Sequence, residues 1–376
     1  MLRRAARLAA ALAHEVAATL PAPLSPQPRV PQDRASQDGA PQARLPETRA
    51  PDSPAPASLP PRSGSAPSPA EPALPAPAPG APHRSWPEPG WQRVEAFGDN
   101  PGQLRMLWHV PRQRQGPPPL VVLLHGCGQD APAFAEQSGW AALSDARGFV
   151  LLLPEQTSAN NHGRCFNWFQ PRQTRRGAGE ADSVRAMVDH ATRRLGCDPR
   201  RVFVAGLSAG GAMAACLLAA YPERFAAGAA IAGLPVGCAE GSGQAMLRMM
   251  QAGPARSAAE WASAARACAP AQVAAWPRLS VWQGGADHTV NPANADALAA
   301  QFAGLHGLHA APDEESSPDT GLRRRVWRDA AGSAAIEHWS LARMGHGYPV
   351  RDGREQNWVL PVGVQATEEI ARFWGI

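Results

Sequence analysis

The chain has 376 residues and a formal net charge of +4, with no Lys at all and 21 of its 40 prolines between residues 21 and 90. So small and scattered a charge excludes the clustered basic face of a nucleic-acid binder. Without Lys there is no P-loop, Schiff-base or Ser–Lys chemistry, and no apolar run reaches the roughly 18 residues that span a bilayer.

Residues 1–20 place Arg3, Arg4 and Arg7 ahead of a short apolar run, with Leu8, Leu12, Val16 and Leu20 at i,i+4 spacing. This reads as an amphipathic helix or a weak targeting segment. Residues 21–90 lack Ile, Phe, Tyr, Met and Cys. They cannot bury enough apolar surface to offset the entropy of ordering, so they read as a disordered Pro/Ala-rich region. Residues 91–376 suffice for one α/β domain with a full core.

Within 91–376 strands and helices alternate. Strands are predicted over 104–110, 120–125, 149–153 (stopped by Pro154), 201–205, 225–232 and 279–282. Edge strands are predicted over 326–328 and 337–341. Helices are predicted over 133–147, 179–195, 209–220, 291–305 and 362–374. Residues 234–276 break the alternation and are placed as a cap on the site. The runs LVVLL, FVLLL and RVFVA are apolar throughout, as strands covered on both faces must be. The β-α-β order implies a doubly wound, mostly parallel sheet.

The segment Gly206-Leu207-Ser208-Ala209-Gly210 is a G-x-S-x-G pattern. Small residues recur by chance in a chain this rich in Ala and Gly, but here a strand runs directly into the motif and an Ala-rich helix follows. That is the context a nucleophile elbow requires. The helix N-terminus then offers free N–H groups to a developing oxyanion.

A nucleophilic serine needs a base and an orienting acid, and in this strand order they follow as Asp, then His. Asp287 lies just past the 279–282 strand in Gly284-Gly285-Ala286-Asp287, and His346 lies between Gly345 and Gly347 ahead of the final helix. Asp296 is the alternative acid. His288, His306, His309 and His338 are set aside as bases. The oxyanion hole is expected from the backbone N–H groups of Ala209 and Cys127, with Gly128 as the alternative, and His125 braces the turn. No metal or cofactor is required. The six Cys form no C-x-x-C, which excludes a zinc ribbon or thioredoxin motif.

Together these segments resemble the catalytic domains of extracellular lipase-box poly(3-hydroxybutyrate) depolymerases, to which feruloyl and acetylxylan esterases are similar. The resemblance covers about 95–376. It rests on HGCGQ (125–129), SGWAALSDARGFVLLLPEQ (138–156), RCFNWF (164–169), GEADSVRAMVD (179–189), RVFVAGLSAGGAM (201–213), YPERFAAGAAIAGLP (221–235), SVWQGGADHTV (280–290) and MGHGYPV (344–350). It implies an α/β-hydrolase fold and a serine esterase with Ser208, His346 and Asp287 as triad. The substrate is a polyester or hydroxyalkanoate oligomer, or alternatively a feruloyl or acetylated carbohydrate ester. It also implies a Cys127–Cys165 bridge, a weaker Cys238–Cys268 pair, and an extracellular or periplasmic location. Phe166, Asn167, Trp168 and Tyr348 are the candidate substrate contacts. The sequence ends at Ile376, directly after the closing helix. Polymer-degrading members carry a further binding domain, so the expectation is against action on crystalline polymer.

Overall fold

The computed structural model describes residues 87–251 and 253–376. The expectations for 1–20 and for nearly all of 21–90 lie outside the described residues. The strands are β1 (Gly90–Val94), β2 (Arg105–Val110), β3 (Leu120–Leu124), β4 (Val150–Glu155), β5 (Val202–Leu207) and β6 (Ala227–Ile231). They continue as β7 (Arg278–Gly284), β8 (Glu314–Asp319), β9 (Leu322–Arg328) and β10 (Ala334–Leu341). All ten form one sheet in the order β1-β2-β4-β3-β5-β6-β7-β10-β9-β8. The six central strands, β4 through β10 in that order, run parallel. Antiparallel strands flank them on both sides. A separate pair, β11 (Tyr348–Val350) and β12 (Val359–Pro361), makes a small parallel sheet.

The helices are α1 (Ala131–Gln137), α2 (Trp140–Arg147), α3 (Pro171–Thr174), α4 (Gly179–Leu195) and α5 (Ala209–Ala220). They continue as α6 (Ser242–Met250), α7 (Ala258–Arg266), α8 (Ala293–His306) and α9 (Ala366–Trp374). Every residue of β3, β5 and β6 is buried. Alternate side chains go to opposite layers: Leu120, Val122 and Leu124 pack with α4, α5, α7 and α8, while Val121 and Leu123 pack with α1, α2 and α9. Trp374 of α9 stacks on Phe203 of β5, centroids 5.0 Å apart, and on Trp140 of α2 at 5.4 Å. Among the described residues no helix is long and apolar enough to cross a membrane.

Several elements differ from the sequence expectation. The helix over 133–147 is two helices broken at Ser138-Gly139. Gly139 takes φ +86°, and the freed Ser138 carbonyl accepts Thr367 Oγ1 and Gln365 Nε2, docking the start of α9. Strand β4 runs through Pro154 to Glu155. Its pairing with β3 ends at Leu152, so the missing N–H of Pro154 faces no ladder partner on that side. Strand β10 is interior, between β7 and β9, and the edge is β8. Its buried carboxylate is satisfied inside: Glu337 accepts from Ser280 Oγ and Arg324 Nε. The closing helix starts at Ala366, not at 362, after Gly363 takes φ +84° in the bend that follows β12.

Candidate active site

Strands β5, β7 and β10 are parallel, so the segments that leave their C-terminal ends meet at one edge of the sheet, where open α/β sheets place their sites. Ser208 leaves β5 in a strained turn with φ +57° and ψ −117°. Its N–H is held by Ile231 O at 2.8 Å. The glycines of the motif are required by contact. A Cβ on Gly206 would run into the Gly210 backbone, and one on Gly210 would run into the Leu124 and His125 carbonyls. Ala209 is the first residue of α5, where N–H groups have no intrahelical acceptor.

Asp287 follows β7. Its Oδ1 accepts from the N–H groups of Thr289 and Val290 at 2.8 and 2.9 Å, and its Oδ2 accepts from Gln283 Nε2 at 3.0 Å. The same Oδ2 meets His346 Nδ1 at 2.8 Å. Burial pushes the Asp287 carboxyl up, but the hydrogen bond and charge of His346, with the Val290 and Thr289 amides, hold it below the ordinary carboxylate range. The acid and histidine loops are locked together: Gly285 N donates to Leu341 O and Ala286 N to Met344 O. A Cβ on Gly284 would collide with the Met344 and Gly345 carbonyls, so glycine is needed for this approach.

The turn after β3 is braced from several sides. His125 bridges the Gly126 carbonyl through Nδ1 and the Gln156 N–H through Nε2. Burial lowers its basicity, and it serves as a brace rather than a base. Cys127 is bonded to Cys165, Arg164 donates to the Gly128 carbonyl, and Gln129 Oε1 accepts from Gly126 N at 2.6 Å. The bridge implied by the resemblance is therefore present. The implied Cys238–Cys268 pair is not: both are free, as are Cys197 and Cys216.

Behind this turn lies Glu180, wholly buried near the start of α4. It accepts from Asn167 N at 2.8 Å, Asn167 Nδ2 at 2.6 Å and Gln156 Nε2 at 2.7 Å, with Asn160 Nδ2 at 3.3 Å. Desolvation raises its pKa to about 7 against the pull of those bonds. Gln156 Nε2 also donates to the Cys165 carbonyl, so Glu180 anchors the segment that carries the disulfide.

The four candidate substrate contacts separate. Phe166 is fully buried with its ring 5.0 Å from that of His125. Asn167 is spent largely on Glu180, though it also lines a cavity of about 740 Å3 with Phe169, Gln170 and Ser242. Trp168 is 7 % exposed, with its ring edge-on to Phe169. Tyr348 is fully buried, its hydroxyl 2.8 Å from Thr367 Oγ1 and its ring against Phe134. It therefore packs in the core and does not face the site, because β11 turns it toward α1 and α9. Trp358, which the sequence does not single out, stands with its ring 5.7 Å from that of His346.

Residues 107–324 match the family described as esterase PHB depolymerase. The chain is 40% identical over 291 residues to poly(3-hydroxyalkanoate) depolymerase C of Paucimonas lemoignei, covering 76% of this chain and 70% of that protein. The chain belongs to this family. The esterase is also 30% identical over 263 residues to feruloyl esterase B of Talaromyces funiculosus, covering 68% of this chain and 73% of that one. It superposes on the acetyl xylan esterase of Aspergillus awamori with a TM-score of 0.67 at 26% identity, covering 76% of this chain and 99% of that chain. It has the α/β-hydrolase fold and is a carboxylic ester hydrolase of the serine type.

Proposed function

We propose that the esterase cleaves poly(3-hydroxybutyrate) or short hydroxyalkanoate oligomers through Ser208, His346 and Asp287. The observation that carries this is the 2.8 Å contact of His346 Nδ1 with Asp287 Oδ2, at the sheet edge that also presents the strained G-x-S-x-G serine. With Nδ1 bound to the acid, Nε2 is the nitrogen that serves as base. It takes the Ser208 proton as Oγ bonds to the ester carbonyl carbon. The resulting oxyanion is held by the Ala209 and Cys127 N–H groups, and losing one such donor costs about 10²–10³ in kcat. Collapse of the intermediate breaks the acyl–oxygen bond, and His346 returns the proton to the leaving alcohol. Water then repeats the sequence on the acyl-enzyme, releasing the acid and restoring Ser208.

The polyester substrate is supported by the 40% identity to a poly(3-hydroxyalkanoate) depolymerase. The test is release of hydroxybutyrate from amorphous polymer and from soluble oligomers, with Ser208→Ala beside the wild type. Release by the wild type that vanishes in Ser208→Ala is expected, and release that survives the substitution overturns the nucleophile. A second reading, removal of feruloyl or acetyl groups from carbohydrate, is favoured by the 99% coverage of the acetyl xylan esterase chain. Methyl ferulate and acetylated xylan run in parallel decide between the two. Action outside the cytoplasm is supported by the Cys127–Cys165 bond, since disulfides persist in oxidising compartments.

A further inference from the structure

The geometry points to Trp358 as the residue that selects the alcohol portion of the ester, held in place by Gln129. This rests on the proposed roles of Ser208 and His346. Trp358 is half-buried and its indole meets the His346 ring at an interplanar angle of 73°. During acylation His346 must hand its proton to the leaving oxygen, so a side chain in contact with the imidazole borders the alcohol side of the scissile bond.

The indole is aimed by an unusual turn. Asn357 and Trp358 both adopt left-handed backbone, φ +45° and +67°, with no glycine to ease it. Such a pair persists only where its surroundings over-determine it. Two bonds do so. Tyr348 N donates to the Trp358 carbonyl at 2.7 Å, and Gln129 Nε2 donates to the Asn357 carbonyl. The other end of the Gln129 amide accepts from Gly126 N, one residue before Cys127. One side chain therefore joins the turn proposed to hold the oxyanion to the turn that positions the indole. Gln129 is a positioning residue, and Trp358 is the group that touches the alcohol.

The test holds the acyl group constant and varies the alcohol: methyl, hexyl and benzyl butanoate, beside an acyl series of p-nitrophenyl esters. In Trp358→Ala, kcat/KM for the hexyl and benzyl esters should fall about tenfold or more relative to the methyl ester, as lost pocket contacts do. Trp358→Phe should recover part of this, and the acyl-length preference should not move. Gln129→Glu keeps the acceptor for Gly126 N but cannot donate to the Asn357 carbonyl. It should shift alcohol preference in the same direction as Trp358→Ala and add nothing to that preference in the Trp358→Ala background. Equal losses for all three alcohols, or a change that follows acyl length, overturn the role of Trp358. Additive shifts in alcohol preference overturn the Gln129 link. Wild-type activity on the series that persists in Ser208→Ala instead brings down the nucleophile, a result separate from either.

Discussion

Glu180 is the buried group whose protonation should be visible in stability, and Glu180→Gln isolates it. The ordinary glutamate pKa of 4.5 is raised to about 7 in the folded chain, mainly by loss of water around the carboxyl. The folded state therefore holds this proton more tightly than the unfolded state does. The associated stabilisation is complete below about pH 4.5 and is lost as pH rises through about 7. Its size is the shift times the energy of one pKa unit, about 3 kcal/mol. Glutamine does not titrate. It also cannot serve all the donors, because Oε1 takes three side-chain N–H groups while Oε2 takes the Asn167 backbone N–H. An amide NH2 at either position opposes a donor, a pH-independent cost of about 1–3 kcal/mol. Urea unfolding of both proteins at pH 5, 6, 7 and 8 gives the comparison, and other titrating groups cancel in the difference. The advantage of the wild type should shrink by about 2.5 kcal/mol from pH 5 to pH 8. An advantage that stays flat, or grows with pH, would falsify the claim that burial outweighs the hydrogen bonds at this carboxyl.

Asp287→Asn should lower kcat by about 10⁴ with little change in fold. The Thr289 and Val290 amides demand an oxygen at Oδ1, which forces the new NH2 toward His346 Nδ1 and imposes the wrong tautomer; burst kinetics with a chromogenic ester measure the step that is lost. Replacing Cys127 and Cys165 by Ser opens a loop whose ends are 38 positions apart in sequence. Chain-entropy reasoning gives a loss of up to about 4 kcal/mol, and kcat should drop more than KM rises; an unchanged kcat would show that the remaining braces hold the turn unaided. Gly210→Ala places a methyl against the Leu124 and His125 carbonyls, both rigid backbone. It should cost roughly 3 kcal/mol and most of the activity, measured by thermal unfolding beside ester turnover.

How much of this was legible depends on whether a backbone requirement is written in glycine. The elbow is visible because Gly206 and Gly210 are dictated by close backbone approach, and the acid loop because Gly284 must pass the Met344 carbonyl. The parallel strands β3, β4 and β5 are visible because burial on both faces forces continuous apolar runs. Other features leave no such mark. Glu180, in the first turn of an amphipathic helix, reads as an ordinary surface acid complementing the helix dipole; only the packing of the 156–167 segment buries it. Trp358 reaches His346 through two left-handed residues that are neither Gly nor near the histidine in sequence. Tyr348 misleads for the opposite reason. It is two residues from His346, but β11 sends it into the core. Pro154 shows that a strand can run through a proline where the ladder on one side has already ended, although β2 still pairs with it on the other; that depends on register and not on the strand's own sequence.

The Cys127–Cys165 bond also ties the site to the redox state of its surroundings. The bond joins two segments outside the sheet, the turn after β3 and the loop ahead of α3. What the bond adds is the fixed seat of the turn beside Ser208. On the proposed roles, turnover therefore answers to the redox state of two sulfurs that take no part in the chemistry.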